Sequence, residues 1–222
     1  MSRRPPLSRE AVLRTAVAVA DASGVGSLTM RALARELGIE AMSLYHHVAN
    51  KDDLLDGMVD LVFAEIALPT AGEDWRTQMR RRCTSARDVL LRHPWAVGLV
   101  ETRAHPGPAT LRHHDAVLAC LRQGGFSVPL TAHAFALIDA QLFGHVVQEV
   151  SLPVREPEDV GALAADILAG MSPDDLPYLT ELAVEHVMKP GYAFGDEFAY
   201  GLDLVLDGLE QRRLEDSGAA RK

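Results

Sequence analysis

The sequence predicts an all-α protein, on three observations. Apolar residues recur every three or four positions along successive segments, which is the spacing of a helix with one buried face. No segment alternates apolar and polar residues with the period of two expected of a strand, and no internal repeat is present. The hydrophobic residues, 48% of the chain, are mainly Ala, Val and Leu, and aromatic residues make up only 5%, a composition that suits helices.

Length and composition limit the class of protein. A chain of 222 residues can form one large domain or two smaller ones. Its 48% hydrophobic residues, together with 24% charged, exclude a disordered or fibrous chain. No uninterrupted apolar run approaches the roughly 20 residues of a membrane helix, and MSRRPPLSRE lacks the apolar core of a secretory signal. We therefore expect no membrane association. Because Cys83 and Cys120 lie far apart, we also expect no disulfide framework and a cytoplasmic protein.

Four helices are predicted in the first third of the chain. Residues 1–7 form an arm, because Pro5-Pro6 cannot lie inside a helix. The predicted N-caps of the first, second and fourth helices are Ser8, Thr29 and Asn50. Glycines at 24 and 26 end the first helix and Gly38 ends the second. The third helix spans Ala41 to Val48, with Leu44 and Val48 on its buried side, and the fourth runs to about residue 66.

The remaining chain continues the helical pattern. A domain boundary is predicted between residues 68 and 69, near Pro69 and Gly72, with a helix-turn-helix domain at 1–68 (its fourth helix connecting) and a second domain at 69–222. Helices are predicted at Glu73–His93, Trp95–Glu101, Ala109–Gln123, Thr131–Val150, Asp159–Ala169, Tyr178–Met188 and Asp196–Arg213.

The charge is distributed unevenly along the chain. Residues 1–51 contain seven basic and four acidic side chains, a net charge of +3, so that the other 171 residues carry −12 of the total −9. Attraction to phosphate depends on the local face that a protein presents. An N-terminal DNA-binding end and an acidic body are therefore compatible.

Thr29–Lys51 is the stretch with the strongest functional pattern. A helix held by Leu44 and Val48 leaves the opposite side free for Met42, Ser43 and His46, with Tyr45 and His47 on its flanks. Such a helix fits a major groove, where hydroxyls, imidazoles and Lys51 can donate to phosphates or base edges. Two ordinary amphipathic helices are the alternative.

The motif resembles the N-terminal domain of the TetR family of transcriptional repressors. The resemblance rests on Leu28-Thr29-x-Arg31-x-Leu33-Ala34-x-x-Leu37-Gly38 and Ser43-Leu44-Tyr45-His46-His47-Val48-x-Asn50-Lys51-x-x-Leu54-Leu55, and it covers residues 8–60 densely. Weaker similarity to the C-terminal domain of the tetracycline repressors continues through Asp74-Trp75, Leu90-Leu91-x-His93, Gly125-Phe126, Phe143-Gly144 and Gly201-Leu202.

The resemblance implies a set of DNA-contacting positions. They are Thr29, Met30, Arg31, Ala41, Met42, Ser43, Tyr45, His46, His47 and Lys51. In the tetracycline repressors the counterpart of Arg31 reads a base, His46 replaces a Trp, and Ala41 and Met42 replace a Gln and a Pro, so a different operator is expected. Tyr45 half-buried with only its hydroxyl at phosphate level, a merely solvated His46, and Arg35 with Glu36 as a plain exposed face are the alternatives.

The second domain is expected to form a homodimer and to bind an effector. Family resemblance implies a homodimer through Thr131–Val150 and Asp196–Arg213, the alternative being that both helices are monomer core. It also implies an effector pocket inside the body. The candidate lining residues are Met79, Arg82, Ala86, Trp95, Leu99, Arg103, His114, Leu118, Ile138, Gln141, Leu142 and His145.

A metal or cofactor is not expected. The tetracycline repressors hold a drug–Mg²⁺ chelate, but their drug-contacting His, metal-ligand His and acid fall on Ala67, near Val100 and near Gln148. The adjacent His113 and His114 point about 100° apart on a helix, so they are not placed to share one ion.

The sequence therefore favours a ligand-responsive repressor that binds palindromic double-stranded operator DNA and is released by an unidentified small molecule. A family member that activates, or that lacks a ligand, is the alternative. A helical enzyme is less favoured, because no Gly-rich phosphate loop, nucleophile elbow, His-Glu-x-x-His or Cys-x-x-Cys is present.

Overall fold

The computed structural model describes residues 7–70, 72–100, 102–154, 157–170 and 175–219. Within these ranges the chain forms eleven α-helices and no strand, which confirms the predicted fold class. The predicted arm at residues 1–7 lies outside the described residues except for Leu7. The helices form two compact units, one from Met1–Ala136 with Arg212–Lys222 and the other from Leu137–Gln211.

The first unit contains seven complete helices. They are α1 (Arg9–Ser23), α2 (Met30–Leu37), α3 (Ala41–Leu44), α4 (Lys51–Glu65), α5 (Trp75–Arg92), α6 (Pro94–Val100) and α7 (Pro108–Gln123). The predicted caps are confirmed: the side chains of Ser8, Thr29 and Asn50 accept from the backbone N–H groups of Ala11, Ala32 and Asp53. These caps satisfy N–H groups that a helix start leaves without partners.

Leu44 and Val48 are buried in the N-terminal helical core, as predicted. They share this core with Ala16 of α1, Leu33 of α2 and Leu54 of α4. Each fully buried Leu contributes about 1.5–3 kcal/mol of transfer free energy. Burial of one side of α3 therefore leaves its other side to face solvent.

The third helix is shorter than predicted. It ends at Leu44, and a turn follows through His47 before Val48 enters the core. After Leu44 the amides of Tyr45 and His46 bond three residues back, to Met42 and Ser43, over 3.3 and 3.4 Å. Such bonds make a tighter and less regular turn than the α-helical pattern. The apolar period alone could not distinguish this turn from a continued helix.

Helices α8 (Val128–Ser151) and α11 (Asp196–Ala219) are the longest, at 24 residues each. The second unit contains most of α8 and of α11, together with α9 (Pro157–Ala169) and α10 (Pro177–Leu182). A π-helical turn at Ala183–Val187 continues α10, so the helix predicted over Tyr178–Met188 has two parts. Helix α8 has the length, the mean hydropathy (1.3) and the low charge that a membrane helix could have, with 33% of its most apolar window buried.

Candidate nucleic-acid interface and cavity

The turn between α2 and α3 is set by Gly38. Its φ of 68° and ψ of 37° lie in the left-handed region, where a residue with a Cβ costs about 1–2 kcal/mol. The amide of Ile39 returns to the Ala34 carbonyl over 3.0 Å and closes the end of α2. Gly38 thereby fixes the angle at which α3 leaves α2.

The side of α3 away from the core is open to solvent. Met42 is 74% exposed and Tyr45 is 47% exposed. Among the other predicted contact positions, Thr29, Arg31, His46 and Lys51 are exposed, and Met30, Ala41, Ser43 and His47 are half-buried.

The chemistry of this surface suits nucleic acid. Arg31 and Lys51 supply positive charge, Ser43 and Tyr45 supply hydroxyls, and His46 supplies an imidazole, all of which can donate to phosphates or base edges. These predicted residues lie on α2, on α3 and the turn after it, and at the start of α4.

A cavity of about 190 Å³ lies within the first unit, beside α4. Of the predicted pocket residues it is lined by Arg103 and His114. Eight further residues that were not predicted from the sequence also line it: Asp56, Val59, Phe63, Val100, His105, Pro106, Gly107 and Thr110. Apolar side chains with a few polar groups are the usual composition of a small-molecule site.

Acidic residues one turn apart on α4 hold the loop that forms this cavity. Arg103 donates from Nε to Asp56 and from Nη2 to the Asp52 carboxylate over 3.0 Å. Asp60 Oδ1 accepts the Thr110 amide at 2.8 Å and the Thr110 hydroxyl at 3.0 Å. A Cβ on Gly107 would lie 2.2 Å from Asp60 Cγ, so any side chain there would displace the Asp60 carboxylate. Residues 52, 56 and 60 are spaced four apart, so they lie on one face of α4, and this spacing was the available sequence signal for the acidic residues that hold the loop.

Buried Arg82 and His113 do not line the cavity. Arg82 Nε donates to His113 Nε2 over 2.9 Å, and both side chains are at most 1% exposed. Burial, together with the charge of Arg82, lowers the pKa of His113 to about 3. The imidazole is therefore neutral with its proton on Nδ1, an atom that has no hydrogen-bond partner among the described residues.

The other predicted pocket residues lie elsewhere. Met79 and Ala86 are fully buried, Leu118 is 38% exposed, and neither Leu99 nor Trp95 lines the cavity. Ile138, Gln141, Leu142 and His145 belong to the second unit, where Ile138 and Leu142 are fully buried and the His145 ring stacks on Phe194 with centroids 4.8 Å apart.

A second polar cluster joins α1 to the α5–α6 junction. Asp21 Oδ1 accepts His93 Nδ1–H at 2.7 Å and Trp95 Nε1–H at 2.6 Å. His93 Nε2 lies 3.3 Å from Glu65 at the end of α4, and Arg92 donates to the same carboxylate. Since 72 residues separate His93 from Asp21, sequence spacing gives no signal for this contact.

Two parts of the chain match known families. Residues 12–58 match the family described as bacterial regulatory proteins, tetR family, and residues 68–213 match the tetracyclin repressor-like C-terminal domain. A transcriptional regulator of the helix-turn-helix type from Saccharopolyspora erythraea is 39% identical over 147 residues, which is 66% of this chain and 62% of that relative.

Two further relatives match this chain over more of their own length. The class A tetracycline repressor from transposon 1721 of Escherichia coli is 30% identical over 94% of this chain and 93% of its own. The crystal structure of ActR from Streptomyces coelicolor in complex with actinorhodin has a TM-score of 0.78 at 29% identity, covering 93% of this chain and 96% of that one. The chain therefore belongs to the TetR family of DNA-binding transcriptional regulators.

Proposed function

We propose that this protein is a repressor that binds a palindromic operator as a homodimer in the cytoplasm and is released by a small-molecule effector. The observation that carries the proposal is the position of α4. Its first residue, Lys51, follows the exposed recognition turn, and Asp52 and Asp56 hold Arg103 at the cavity. One helix thus connects the DNA-facing surface to the cavity.

The release mechanism follows from this connection. A ligand that binds beside Arg103 competes with its contacts to α4, so the ligand-bound and DNA-bound arrangements of α4 differ in free energy. An effector lowers operator affinity only to the extent that it binds the off-DNA arrangement better. Residues 1–68 are the DNA-binding domain in this proposal, and 69–222 are the ligand-binding and dimerisation domain. Both are regulatory rather than catalytic.

The homodimer is proposed through Thr131–Val150 and Asp196–Arg213. In the second unit these helices expose apolar side chains: Leu137 is 53% exposed and Val147 48% on α8, and Tyr200 is 67% and Leu204 58% exposed on α11. A second copy is the partner that would cover these side chains, and it accounts for the apolar length of α8 without a membrane. A dimer would also read two half-sites about 34–36 Å apart.

The test is a footprint of the purified protein on the DNA that flanks its own gene. We expect two protected half-sites about one helical turn apart, a dimer by sedimentation at micromolar concentration, and loss of the footprint with one member of a compound library. A monomer would refute the pairing. Sequence-independent binding would refute operator recognition, and transcription that rises only with bound protein would indicate an activator.

Magnesium–tetracycline is not the proposed effector. The amide of Ala67 donates to Ser85, Val100 lines the cavity and Gln148 is exposed, and none of these three side chains is a histidine or a carboxylate. Calorimetry should give no binding of tetracycline with Mg²⁺ in the micromolar range. Heat corresponding to micromolar affinity would contradict this assignment.

A further inference from the structure

Arg9, the first residue of α1, reaches the start of α4. Its Nη2 donates to Asp53 Oδ1 over 2.6 Å and its Nη1 donates to Asp53 Oδ2 over 3.0 Å, a bidentate pair. Nη1 also donates to the backbone carbonyl of His47 over 2.9 Å. Pairs of this geometry are more directional than a single point contact between charges.

The Asp53 carboxylate has a third donor. The amide of Ala49 donates to Oδ2 over 2.8 Å, and the amide of Asp53 itself donates to the Asn50 side chain, also over 2.8 Å. Arg9 therefore fixes His47, and Asp53 fixes Ala49, on both sides of Val48. One ion pair thus connects α1, the turn after α3 and α4.

The turn requires support of this kind. Helix α3 has only four residues, whereas isolated helices shorter than about 12–15 residues are marginal in water. Val48 anchors the turn in the core, but the side chains that face DNA, Tyr45, His46 and His47, precede it. Their direction depends on the backbone between Leu44 and Lys51, which Arg9 and Asp53 hold from outside.

The electrostatics reinforce the geometry. The hydrogen bond from Arg9, with that from Ala49, lowers the pKa of Asp53, so its carboxylate is ionised throughout the neutral range. The same bond to Asp53 raises the pKa of Arg9. Asp53 also lies in the first turn of α4, where a negative charge interacts favourably with the helix dipole.

We infer that Arg9 and Asp53 are positioning residues for DNA recognition, which fix the turn at residues 45–50 so that Tyr45, His46 and His47 meet the groove. Arg9 acts through the protein backbone and not through a phosphate. The inference rests on the proposed operator binding. It assigns an acidic residue, Asp53, a favourable role in binding a polyanion, and simple electrostatics gives the opposite sign.

The experiment uses the full-length protein and the duplex that it selects from a random pool, with an unrelated duplex for non-specific binding. Both Arg9→Ala and Asp53→Ala are expected to weaken specific binding about tenfold or more, because each breaks a charge-assisted contact that orders the turn. Non-specific binding and the dependence of log Kd on log salt should stay those of the wild type. Arg9→Lys, which keeps the charge and a single donor group, should lie between wild type and Arg9→Ala.

A direct phosphate contact by Arg9 predicts different results. The salt slope would fall by about 0.9 in Arg9→Ala, and Asp53→Ala, which removes a negative charge, would bind as well as the wild type or better. Either result overturns the inference, as does specific binding unchanged in both variants. A wild-type protein that selects no duplex overturns the proposed function and the inference with it.

Matched controls come from the same helix. Arg14 and Glu10 form an exposed ion pair on α1 over 2.6 Å without reaching the turn, so Arg14→Ala and Glu10→Ala should leave specific binding within about twofold of wild type. Hydrogen exchange gives a second readout that an unfolded variant would not show. The Ala49 amide should exchange faster in Arg9→Ala while those of the buried part of α1, around Ala16, keep their protection.

Discussion

The indole N–H of Trp95 donates to the carboxylate of Asp21, with 2.6 Å between Nε1 and Oδ1. This contact joins α1 of the DNA-binding region to the first turn of α6, and Val100 at the other end of α6 lines the cavity. Helix α6 is only seven residues long, so one end cannot move far without the other. The cavity is thus connected to the DNA-binding region through α1 as well as through α4.

Loss of the Asp21 carboxylate should destabilise the protein. Asp21→Ala leaves the buried Trp95 N–H and His93 N–H without their acceptor, which costs about 1–3 kcal/mol of unfolding free energy. Urea unfolding measures this loss, and Asp115→Ala on the exposed face of α7 is the control. Trp95→Phe keeps the ring and removes the donor. If Asp21→Ala costs the same in the Trp95→Phe background as in the wild type, the two residues are not coupled.

Two exposed side chains should contribute to operator affinity without contributing to folding. Arg31→Ala and Tyr45→Phe each remove a donor from the solvent-facing side of the helix-turn-helix, and we expect a loss of about 1–3 kcal/mol in binding for a base contact. Gel shifts on the footprinted site measure the loss, with unchanged circular dichroism. Arg35→Ala, which changes an exposed arginine on the same helix, should bind as the wild type. Equal binding by all three variants would contradict the assigned contacts.

Much of the DNA-binding region could be predicted because its determinants are local. Thr29, Gly38 and Asn50 act within four residues of their own position, and the burial of Leu44 and Val48 follows from helical spacing. The contacts Arg9–Asp53 and Asp21–Trp95 join residues 44 and 74 apart in sequence. Their partners depend on how helices cross, which a hydrophobic period does not specify.

The lining of the cavity overlaps the predicted pocket residues only in part, for a related reason. Arg103 and His114 line it, whereas Met79 and Trp95, predicted for the same pocket, do not. Apolar residues of α5 and α6 are compatible both with a pocket wall and with the core, and only packing decides between them. Met79 is fully buried, and the N–H of Trp95 is directed to α1.

The free energy of unfolding should decrease as the pH falls, because His113 titrates differently in the folded and unfolded chains. Burial, with the positive charge of Arg82, lowers its pKa from 6.5 to about 3, so below pH 6.5 the unfolded chain takes up a proton that the folded chain does not. The stabilisation is complete above about pH 6.5 and is lost as the pH falls, at up to about 1.4 kcal/mol per pH unit.

Urea unfolding near pH 7 and near pH 5 measures this dependence. His113→Gln keeps an acceptor for Arg82 but cannot titrate, so its stability should decline less steeply than that of the wild type. His46→Gln, which changes an exposed histidine, is the control for the substitution. Parallel declines in wild type and His113→Gln would show that His113 does not contribute.

Arg103 should couple the effector to the operator. Its side chain is 16% exposed and contacts both Asp52 and Asp56 in the first turns of α4. Arg103→Ala separates the cavity loop from α4 while Thr110 still holds Asp60, so a ligand can enter without displacing α4. We expect operator binding close to that of the wild type and a much higher effector concentration for release.

The coupling free energy, typically 1–3 kcal/mol, is obtained from operator Kd measured with and without a compound that releases the wild type. Arg212→Ala, which breaks an exposed pair with Glu215 on α11, is the control. Because coupling is reciprocal, the compound must change operator affinity by the same factor as the operator changes the affinity for the compound. The coupling free energies from these two affinity ratios should therefore agree. Unchanged release in Arg103→Ala would place the coupling in the Asp21–Trp95 contact instead, since α6 then remains the cavity's other connection to the DNA-binding region.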